Sequence, residues 1–212
     1  MISSTLRERI RNDLNRWEGM FAWMYLDSEG LVTVGFGTML LNAHAATAVS
    51  FQHAKSGALA TAAEITAAYN VLHAGSAAQK AAAPAKKYSA KHYEKVTDLM
   101  ITLATASSLR DSHIDADYSQ LQLIYPQFDS FPDDAKVALF DMIYNLGAGH
   151  GKMRHHRATG LRAYVTMNAA INRGDWGTAA KYCLRHGIPA TRNDATAQLF
   201  NNCAVVKVGR PR

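Results

Sequence analysis

Apolar residues near the start of the chain recur at the spacing of an α-helix. They fall every three or four positions, at Leu6, Ile10, Leu14 and Trp17. This pattern predicts a helix from about residue 5 to about residue 18 with one buried face. Thr5 and Glu8 have the spacing of a capping box, so we expect the helix to begin there.

The pattern changes from helical to extended between Tyr25 and Thr38. Asp27-Ser-Glu-Gly30 has the composition of a turn, and Leu31-Val-Thr-Val-Gly-Phe-Gly37 follows it. A turn between two such stretches predicts a β-hairpin with a glycine-rich second strand.

Most of the remaining chain has helical patterns. Thr61 and Glu64 form a second capping box, and residues 133–146 are apolar on nearly every side, which predicts a buried central helix. Further helices are expected at about 93–107, 161–172, 176–184 and 194–204. Residues 75–90, rich in alanine and lysine with one proline at position 84, form either a loose connection or an interrupted helix.

These elements predict an α+β fold that is mainly helical, with one small sheet near the N-terminus. The chain of 212 residues is long enough for one domain, or for one domain divided into two lobes. We expect a single domain with a hairpin lobe at about 15–60, an extended helical middle at about 61–130 and a helical lobe at about 131–205.

Composition excludes a disordered chain and a disulfide framework, because 48% of the residues are hydrophobic and only two are cysteines. Cys183 and Cys203 are expected to be free thiols, since Cys183 lies in an alanine-rich helical pattern that predicts burial. No apolar run reaches the length of a membrane span, and the N-terminus lacks the apolar core of a secretory signal. We therefore expect synthesis without a signal peptide and no stable membrane insertion.

The net charge of +6 is unevenly distributed. Residues 133–212 carry 12 basic and 5 acidic side chains, whereas residues 1–132 carry 11 basic and 12 acidic side chains. A basic half is typical of a protein with an anionic partner, and equally of a solvated surface that maintains solubility.

Two carboxylates near the hairpin are candidates for acid/base chemistry. Glu18 ends the first predicted helix beside Trp17 and Phe21, and burial among aromatic rings favours a protonated carboxyl group. Asp27 lies nine residues later in a polar turn, where a carboxylate stays ionised. Contrasting carboxyl groups of this kind are what glycosidic cleavage requires. Thr33, six residues further on, could help Asp27 to hold one water molecule.

Gly35 and Gly37 extend this candidate site, because strand positions without side chains let a bulky substrate approach the backbone. The alternative is that these are ordinary helix-end, turn and strand residues. Spacing alone favours that alternative.

The segment Glu18-Gly-Met-Phe-Ala-Trp-Met-Tyr-Leu-Asp-Ser-Glu-Gly-Leu-Val-Thr-Val-Gly-Phe-Gly37 resembles the catalytic segment of phage-type lysozymes. In that family Glu-Gly is followed by Tyr-x-Asp, Gly and Thr-x-Gly-x-Gly, and the spacings here match without a gap. Residues 131–203 also resemble the later helices of the family. The longer middle of the chain is more similar to muramidase toxins such as pesticin and to lysozyme-like effectors of type VI secretion.

The resemblance implies a lysozyme-like two-lobed fold and a role for each matching residue. Glu18 would be the general acid, and Asp27 would activate water with the help of Thr33. Because the family inverts the anomeric carbon, the two carboxyl groups should be roughly 6.5–9.5 Å apart. Arg192 matches the arginine that pairs with the catalytic glutamate, and Asn145 matches a polar residue that binds the glycan. Asn145 could equally be an ordinary residue at a helix end.

The histidines at positions 150, 155 and 156 suggest a metal site, but no carboxylate or cysteine lies among them and several cations do. We therefore expect no metal and no cofactor. The basic residues are scattered over loops and not gathered on a recognition helix, so we expect no nucleic-acid partner.

Together these features predict a peptidoglycan muramidase that acts as a monomer, either an antibacterial effector or toxin or an endolysin. Its expected partner is bacterial peptidoglycan, with an immunity protein as a second one. It would act in the periplasm or cell wall after holin release or delivery by a secretion system. The alternative is a non-catalytic peptidoglycan-binding module of the same fold.

Overall fold

A computed structural model describes residues 2–152 and 157–206. The fold is α+β and mainly helical, with 59% helix, 9% strand and a small antiparallel sheet. This confirms the predicted class. Within the described ranges no helix has both the length and the apolar character needed to span a membrane.

The α-helices are α1 (Ser4–Glu18), α2 (Ala43–Thr47), α3 (Ala62–His73), α4 (Ser76–Ala81), α5 (Leu103–Ile124), α6 (Asp133–Leu146), α7 (Val165–Asn172), α8 (Trp176–Tyr182) and α9 (Ala190–Val206). The strands are β1 (Phe21–Leu26), β2 (Val32–Gly35), β3 (Thr38–Met39), β4 (Gln52–His53) and β5 (Leu99–Met100). Short 3-10 helices lie at Pro84–Lys86, Ala90–Tyr93, Phe128–Ser130 and Gly160–Ala163.

The chain divides into two compact units. The sheet unit comprises Glu18–Ser112, and the helical unit comprises Met1–Trp17 together with His113–Arg212. One boundary lies at the last residue of α1 and the other lies inside α5. Each unit has its own hydrophobic core.

In the sheet unit the described strands pair antiparallel in the order β3-β2-β1-β5-β4. The register next to the β1–β2 turn joins Leu26 with Val32 and Tyr25 with Thr33. The core of this unit includes Met24, Leu26, Val34, Phe51, Tyr69, Leu72 and Ile101. Helix α3 contributes buried side chains to this core. It begins at the predicted capping box, since Thr61 and Glu64 form both reciprocal hydrogen bonds.

The helix predicted at about 93–107 is wrong for its first part and correct from residue 103 onward. A 3-10 turn ends at Tyr93, β5 follows at Leu99–Met100, and α5 begins only at Leu103. The physical reason is strand pairing: β5 pairs with both β1 and β4. Leu99 and Ile101 are buried on either side of half-buried Met100, which is the alternation of a strand.

The start of α1 also differs from the prediction. The hydroxyl of Ser3 accepts a hydrogen bond from the Leu6 backbone N–H at 3.2 Å, so Ser3 and not Thr5 caps the helix. The predicted apolar face is confirmed, since Leu6, Ile10 and Leu14 are all buried.

The helical unit is built around α6, which has the predicted bounds and is buried on nearly every side. Aromatic rings pack around it in edge-to-face and stacked pairs, formed by Phe128, Phe131, Phe140, Trp176 and Phe200. Both cysteines are buried free thiols in this core, as expected, and burial raises the pKa of each to about 11.

Three later helices correspond to the predictions with shifted ends. The helix expected from residue 161 is divided into the 3-10 turn Gly160–Ala163 and α7. Helix α8 ends two residues early, at Tyr182. Helix α9 begins at Ala190 because the Pro189 carbonyl already accepts hydrogen bonds from the N–H groups of Arg192 and Asn193.

A buried charge network crosses the core of the helical unit. Asp141 on α6 is 1% exposed, and its Oδ2 accepts hydrogen bonds from Arg185 at 2.6 Å and from Thr196 at 2.7 Å. Its Oδ1 accepts one from Arg192 Nε at 2.8 Å. Asn193 Oδ1 accepts from Arg185 as well. A carboxylate in so dry a place needs these donors, because burial without them would cost several kcal/mol.

We predict that Asp141→Asn lowers the free energy of unfolding by about 3–5 kcal/mol, because it leaves Arg185 and Arg192 buried without their counter-charge. Urea denaturation measures the loss. The matched control is Asp133→Asn on the same helix, where a half-exposed pair with Lys136 should contribute less than about 1 kcal/mol. Equal losses in the two variants would contradict the assignment.

A pair of titratable side chains, Asp117 and His113, lies on α5 in the helical unit. Asp117 is 6% exposed, and its Oδ2 has no hydrogen-bond partner among the described residues. The Nε2 atom of His113 is 3.6 Å from this oxygen, and the His113 ring packs on Tyr144. Burial raises the pKa of Asp117 to about 7 and lowers the pKa of His113.

This pair predicts a pH dependence of stability. The ordinary aspartate pKa is 3.8, so between about pH 4 and about pH 7 the folded chain holds a proton that the unfolded chain releases. The contribution of Asp117 to stability therefore falls as the pH rises through this window and is constant above it. Asp117→Asn should stabilise the protein by roughly 2–4 kcal/mol at pH 8 and leave it unchanged at pH 4.

Thermal unfolding at both pH values measures this effect. Asp115→Asn, an exposed change on the same helix, should leave the pH dependence of the wild type intact. A gain at pH 4 equal to that at pH 8 would mean that the Asp117 carboxylate carries no buried charge.

Candidate active site

Glu18 is the last residue of α1 and is half-buried. The chain leaves the helix at Gly19, whose φ of 66° is unfavourable for other residues. The Phe21 ring lies 3.6 Å from the position that a Cβ at Gly19 would occupy. This turn positions the backbone of Glu18 directly before strand β1.

Strand β1 carries three aromatic residues on alternating positions, which therefore share one face of the strand. Phe21 lies edge-to-face with Trp23 at 5.8 Å and with Tyr25 at 5.2 Å between ring centroids. The Trp23 indole N–H donates to the Ala90 carbonyl at 2.8 Å. The face is therefore held both by ring packing and by a hydrogen bond to the middle of the chain.

Tyr25 connects the two candidate carboxylates. Burial raises the pKa of its phenol well above the usual value, and the charges of Glu18 and Asp27 raise it further. Both carboxylates thus lie within electrostatic reach of one hydroxyl group. Glu18, Tyr25 and Asp27 all belong to the sheet unit. The catalytic roles of Glu18 and Asp27 stay predictions.

Asp27 uses its two carboxylate oxygens differently. Oδ1 accepts hydrogen bonds from the backbone N–H groups of Glu29 and Leu31, each at 2.8 Å. This Asx turn occurs because a short acidic side chain can satisfy N–H groups two and four residues ahead. Oδ2 accepts no hydrogen bond from the described residues. The carboxylate is therefore anchored at one oxygen and open at the other.

Thr33 is 2% exposed and lies opposite Tyr25 in the β1–β2 ladder, so the two side chains share a face of the sheet. Its hydroxyl donates to the Leu31 carbonyl at 3.1 Å. Because that proton is already used, the hydroxyl would bind a water molecule by accepting a hydrogen bond from it. The water-binding role of Thr33 stays a prediction.

Gly35 and Gly37 both have positive φ values, 68° and 86°. At Gly35 a Cβ would lie 3.4 Å from Ala106 and from Ile101, so this glycine faces the core of the sheet unit. The backbone conformation alone accounts for glycine at both positions. Contact of either residue with a substrate stays a prediction.

Two predicted site residues belong to the helical unit. Asn145 is half-buried in the last turn of α6, just before Gly147 reverses the chain with a φ of 69°. Arg192 is 5% exposed and bound to Asp141. The expected pairing of Arg192 with Glu18, and the expected glycan contact of Asn145, stay predictions.

The structure describes only part of the histidine-rich loop. His155 and His156 lie outside the described residues, and His150 contacts the Gly151 carbonyl through Nδ1 at 3.0 Å. In the two described ranges no group of three or more His, Cys, Asp or Glu side chains has a metal-binding geometry.

The structure identifies buried or electrostatically perturbed residues that the sequence interpretation missed. Tyr25 is the first of these, and its signal was the Tyr-x-Asp spacing in residues 25–27. Asp141 is the second, visible as the one acid within an apolar run. Asp13 is the third: burial, followed by the charge of Asp141, raises its pKa to about 6, while the Trp17 indole and the charge of Arg192 lower it. No sequence pattern singled out Asp13.

No protein-family model matches the sequence, and no curated protein matches it.

The Asx turn predicts that two substitutions of Asp27 differ in stability. Asp27→Asn keeps an oxygen that can accept from Glu29 and Leu31, so we expect unfolding free energy within about 0.5 kcal/mol of the wild type. Asp27→Ala removes the acceptor from both N–H groups and should cost about 1–2 kcal/mol. Urea denaturation of the wild type and the two variants measures these differences in the free energy of unfolding. Equal stability of the Asn and Ala variants would refute the anchoring role of Oδ1.

Proposed function

We propose that this protein is a peptidoglycan muramidase, which hydrolyses the β-1,4 bond between N-acetylmuramic acid and N-acetylglucosamine with inversion. The observation that carries the proposal is the Asp27 carboxylate, which the turn binds at Oδ1 and leaves open at Oδ2. The charges of Glu18 and Asp27 both raise the pKa of the Tyr25 phenol, which supports a shared site. The spacing of the motif in residues 18–37 supports the same chemistry.

Glu18 is the general acid in this proposal. It lies half-buried at the end of α1, near the aromatic face of β1. A bound sugar would exclude water from around this carboxyl group. The proton passes to the glycosidic oxygen as the bond between that oxygen and the anomeric carbon breaks.

Asp27 is the general base. A water molecule held by Oδ2 attacks the anomeric carbon from the opposite face of the sugar ring, and its proton passes to Asp27. Thr33 would accept a second hydrogen bond from the same water. The new bond to carbon forms on the face opposite the leaving group, so the product is inverted at that carbon.

The two-lobed lysozyme-like arrangement is part of the proposal. From the resemblance it includes the glycan contact of Asn145 and the pairing of Arg192 with Glu18, and from the strand chemistry it includes the approach of the substrate to Gly35 and Gly37. The basic residues at 133–212 suit an anionic wall polymer. We propose action in the bacterial periplasm or cell wall, as an effector, toxin or endolysin, with an immunity protein as a second partner.

The test compares the wild type with Glu18→Gln on purified peptidoglycan sacculi, with the released fragments identified by mass spectrometry. The wild type should release fragments with reducing muramic acid ends. Glu18→Gln should release them about 100- to 10,000-fold more slowly, which is the range that a general acid contributes. Glu8→Gln, the same change at an exposed position of α1, should keep wild-type activity.

Other outcomes lead to other functions. Anhydro-muramic ends would indicate a lytic transglycosylase and contradict the water-activating roles of Asp27 and Thr33. Sacculi bound by both proteins without any fragments would replace the enzyme with a non-catalytic peptidoglycan-binding module.

A further inference from the structure

The turn that carries Asp27 is held from outside the hairpin by the middle of the chain. Three side chains of residues 76–87 donate hydrogen bonds to its backbone carbonyls. Ser76 donates to Gly30, Gln79 donates to Asp27 and Lys87 donates to Ser28. All belong to the sheet unit. Three of the four turn carbonyls are therefore fixed by one segment that follows α3.

Close packing accompanies these hydrogen bonds. At Gly30, which has a φ of 71°, an added Cβ would overlap the carbonyl oxygen of Ser76. The start of α4 thus lies directly against the turn, and no larger residue fits there without moving one backbone or the other. The turn and α4 have to move together.

Gln79 is the most constrained of the three donors. It is 4% exposed, and its amide is bound at both ends. Oε1 accepts from the Tyr88 N–H at 3.1 Å, and Nε2 donates to the Tyr88 carbonyl at 2.9 Å and to the Asp27 carbonyl at 3.3 Å. Because Tyr88 fixes which end is nitrogen, the donor is aimed at Asp27 in advance.

Tyr88 is itself held in position. Its ring stacks on His92 with 3.9 Å between centroids, and His92 packs edge-on against buried Tyr93. The chain of contacts therefore runs from the 3-10 turn Ala90–Tyr93 through Tyr88 and Gln79 to the backbone of Asp27.

We propose that Gln79 is a positioning residue for Asp27, and that residues 76–88 hold the turn so that Oδ2 of Asp27 keeps the orientation needed to activate water. The catalytic part of this inference rests on the proposed muramidase function. The positioning part rests only on the hydrogen bonds and can be tested without activity.

The first measurement is amide hydrogen exchange, followed by NMR, in Gln79→Met and in the matched control Lys80→Met. Methionine has a similar shape but neither donates nor accepts as an amide does, whereas Lys80 is exposed on the same helix. In Gln79→Met the N–H groups of Glu29 and Leu31 should exchange about fivefold faster or more, because the Asx turn loosens. Unchanged protection of both amides would overturn the proposal whatever the activity of the protein.

The second measurement is turnover of sacculus fragments. Gln79→Met should lower kcat about ten- to a hundredfold while KM and sacculus binding stay the same, since misplacing a base affects the chemical step. Lys80→Met should change neither value. Proportional changes in KM and in melting temperature, with kcat unaltered, would indicate a purely structural role and overturn the positioning of Asp27.

A second variant covers the case in which Gln79→Met does not fold. Gln79→Glu keeps the volume of the side chain and an oxygen that accepts from the Tyr88 N–H. It replaces the amide nitrogen that donates to the Asp27 carbonyl, so faster exchange at Glu29 and Leu31 and a lower kcat are again expected. If the wild type releases no fragments at all, the proposed function fails, while faster exchange at Glu29 and Leu31 still establishes that Gln79 holds the turn.

Discussion

The hairpin of the sheet unit depends on how the Asp27 turn satisfies its backbone groups. Oδ1 of Asp27 accepts from two N–H groups, and side chains from residues 76–87 donate to three carbonyls. The Tyr25–Thr33 and Leu26–Val32 pairs follow immediately. A shift of one residue in this turn would exchange the two faces of β1 and move the aromatic residues away from Glu18. The geometry of the candidate site is thus set by hydrogen bonds to the main chain.

Asp141 in the helical unit and Asp27 in the sheet unit differ in how many of their carboxylate oxygens accept hydrogen bonds. Asp141 in the helical unit is 1% exposed, and donors from Arg185, Arg192 and Thr196 occupy both of its oxygens. Such a carboxylate stabilises the surrounding structure and has no capacity left for a ligand. Asp27 is anchored at one oxygen only, so it can satisfy the turn and still bind water. This difference in occupancy distinguishes a structural acid from a candidate base.

Sequence reasoning predicted the elements whose signals are local. The apolar spacing of α1 and α6 and the capping box of α3 each depend on residues within a few positions, and all three helices are confirmed. Strand β5 depends on pairing with β1 and β4, which are distant in sequence, so a helix was expected there instead. Glu18 and Asp27 are candidates from sequence because their surroundings suit acid/base chemistry and their spacing resembles a family motif, whereas Asp13 and Gln79 lie outside that motif.

Gln79 illustrates why part of a site escapes such reasoning. It acts on the carbonyl of Asp27 and not on its side chain, and every residue presents the same carbonyl. Many kinds of side chain could donate to this carbonyl, so the residue type at position 79 does not predict the contact. Holding Asp27 through its backbone also leaves Oδ2 uncovered, which the proposed role as a base requires, because a donor placed on Oδ2 would compete with the water. Residues 76–88 can therefore hold the turn without contacting the Asp27 carboxylate, and only their folded arrangement against the hairpin reveals these contacts.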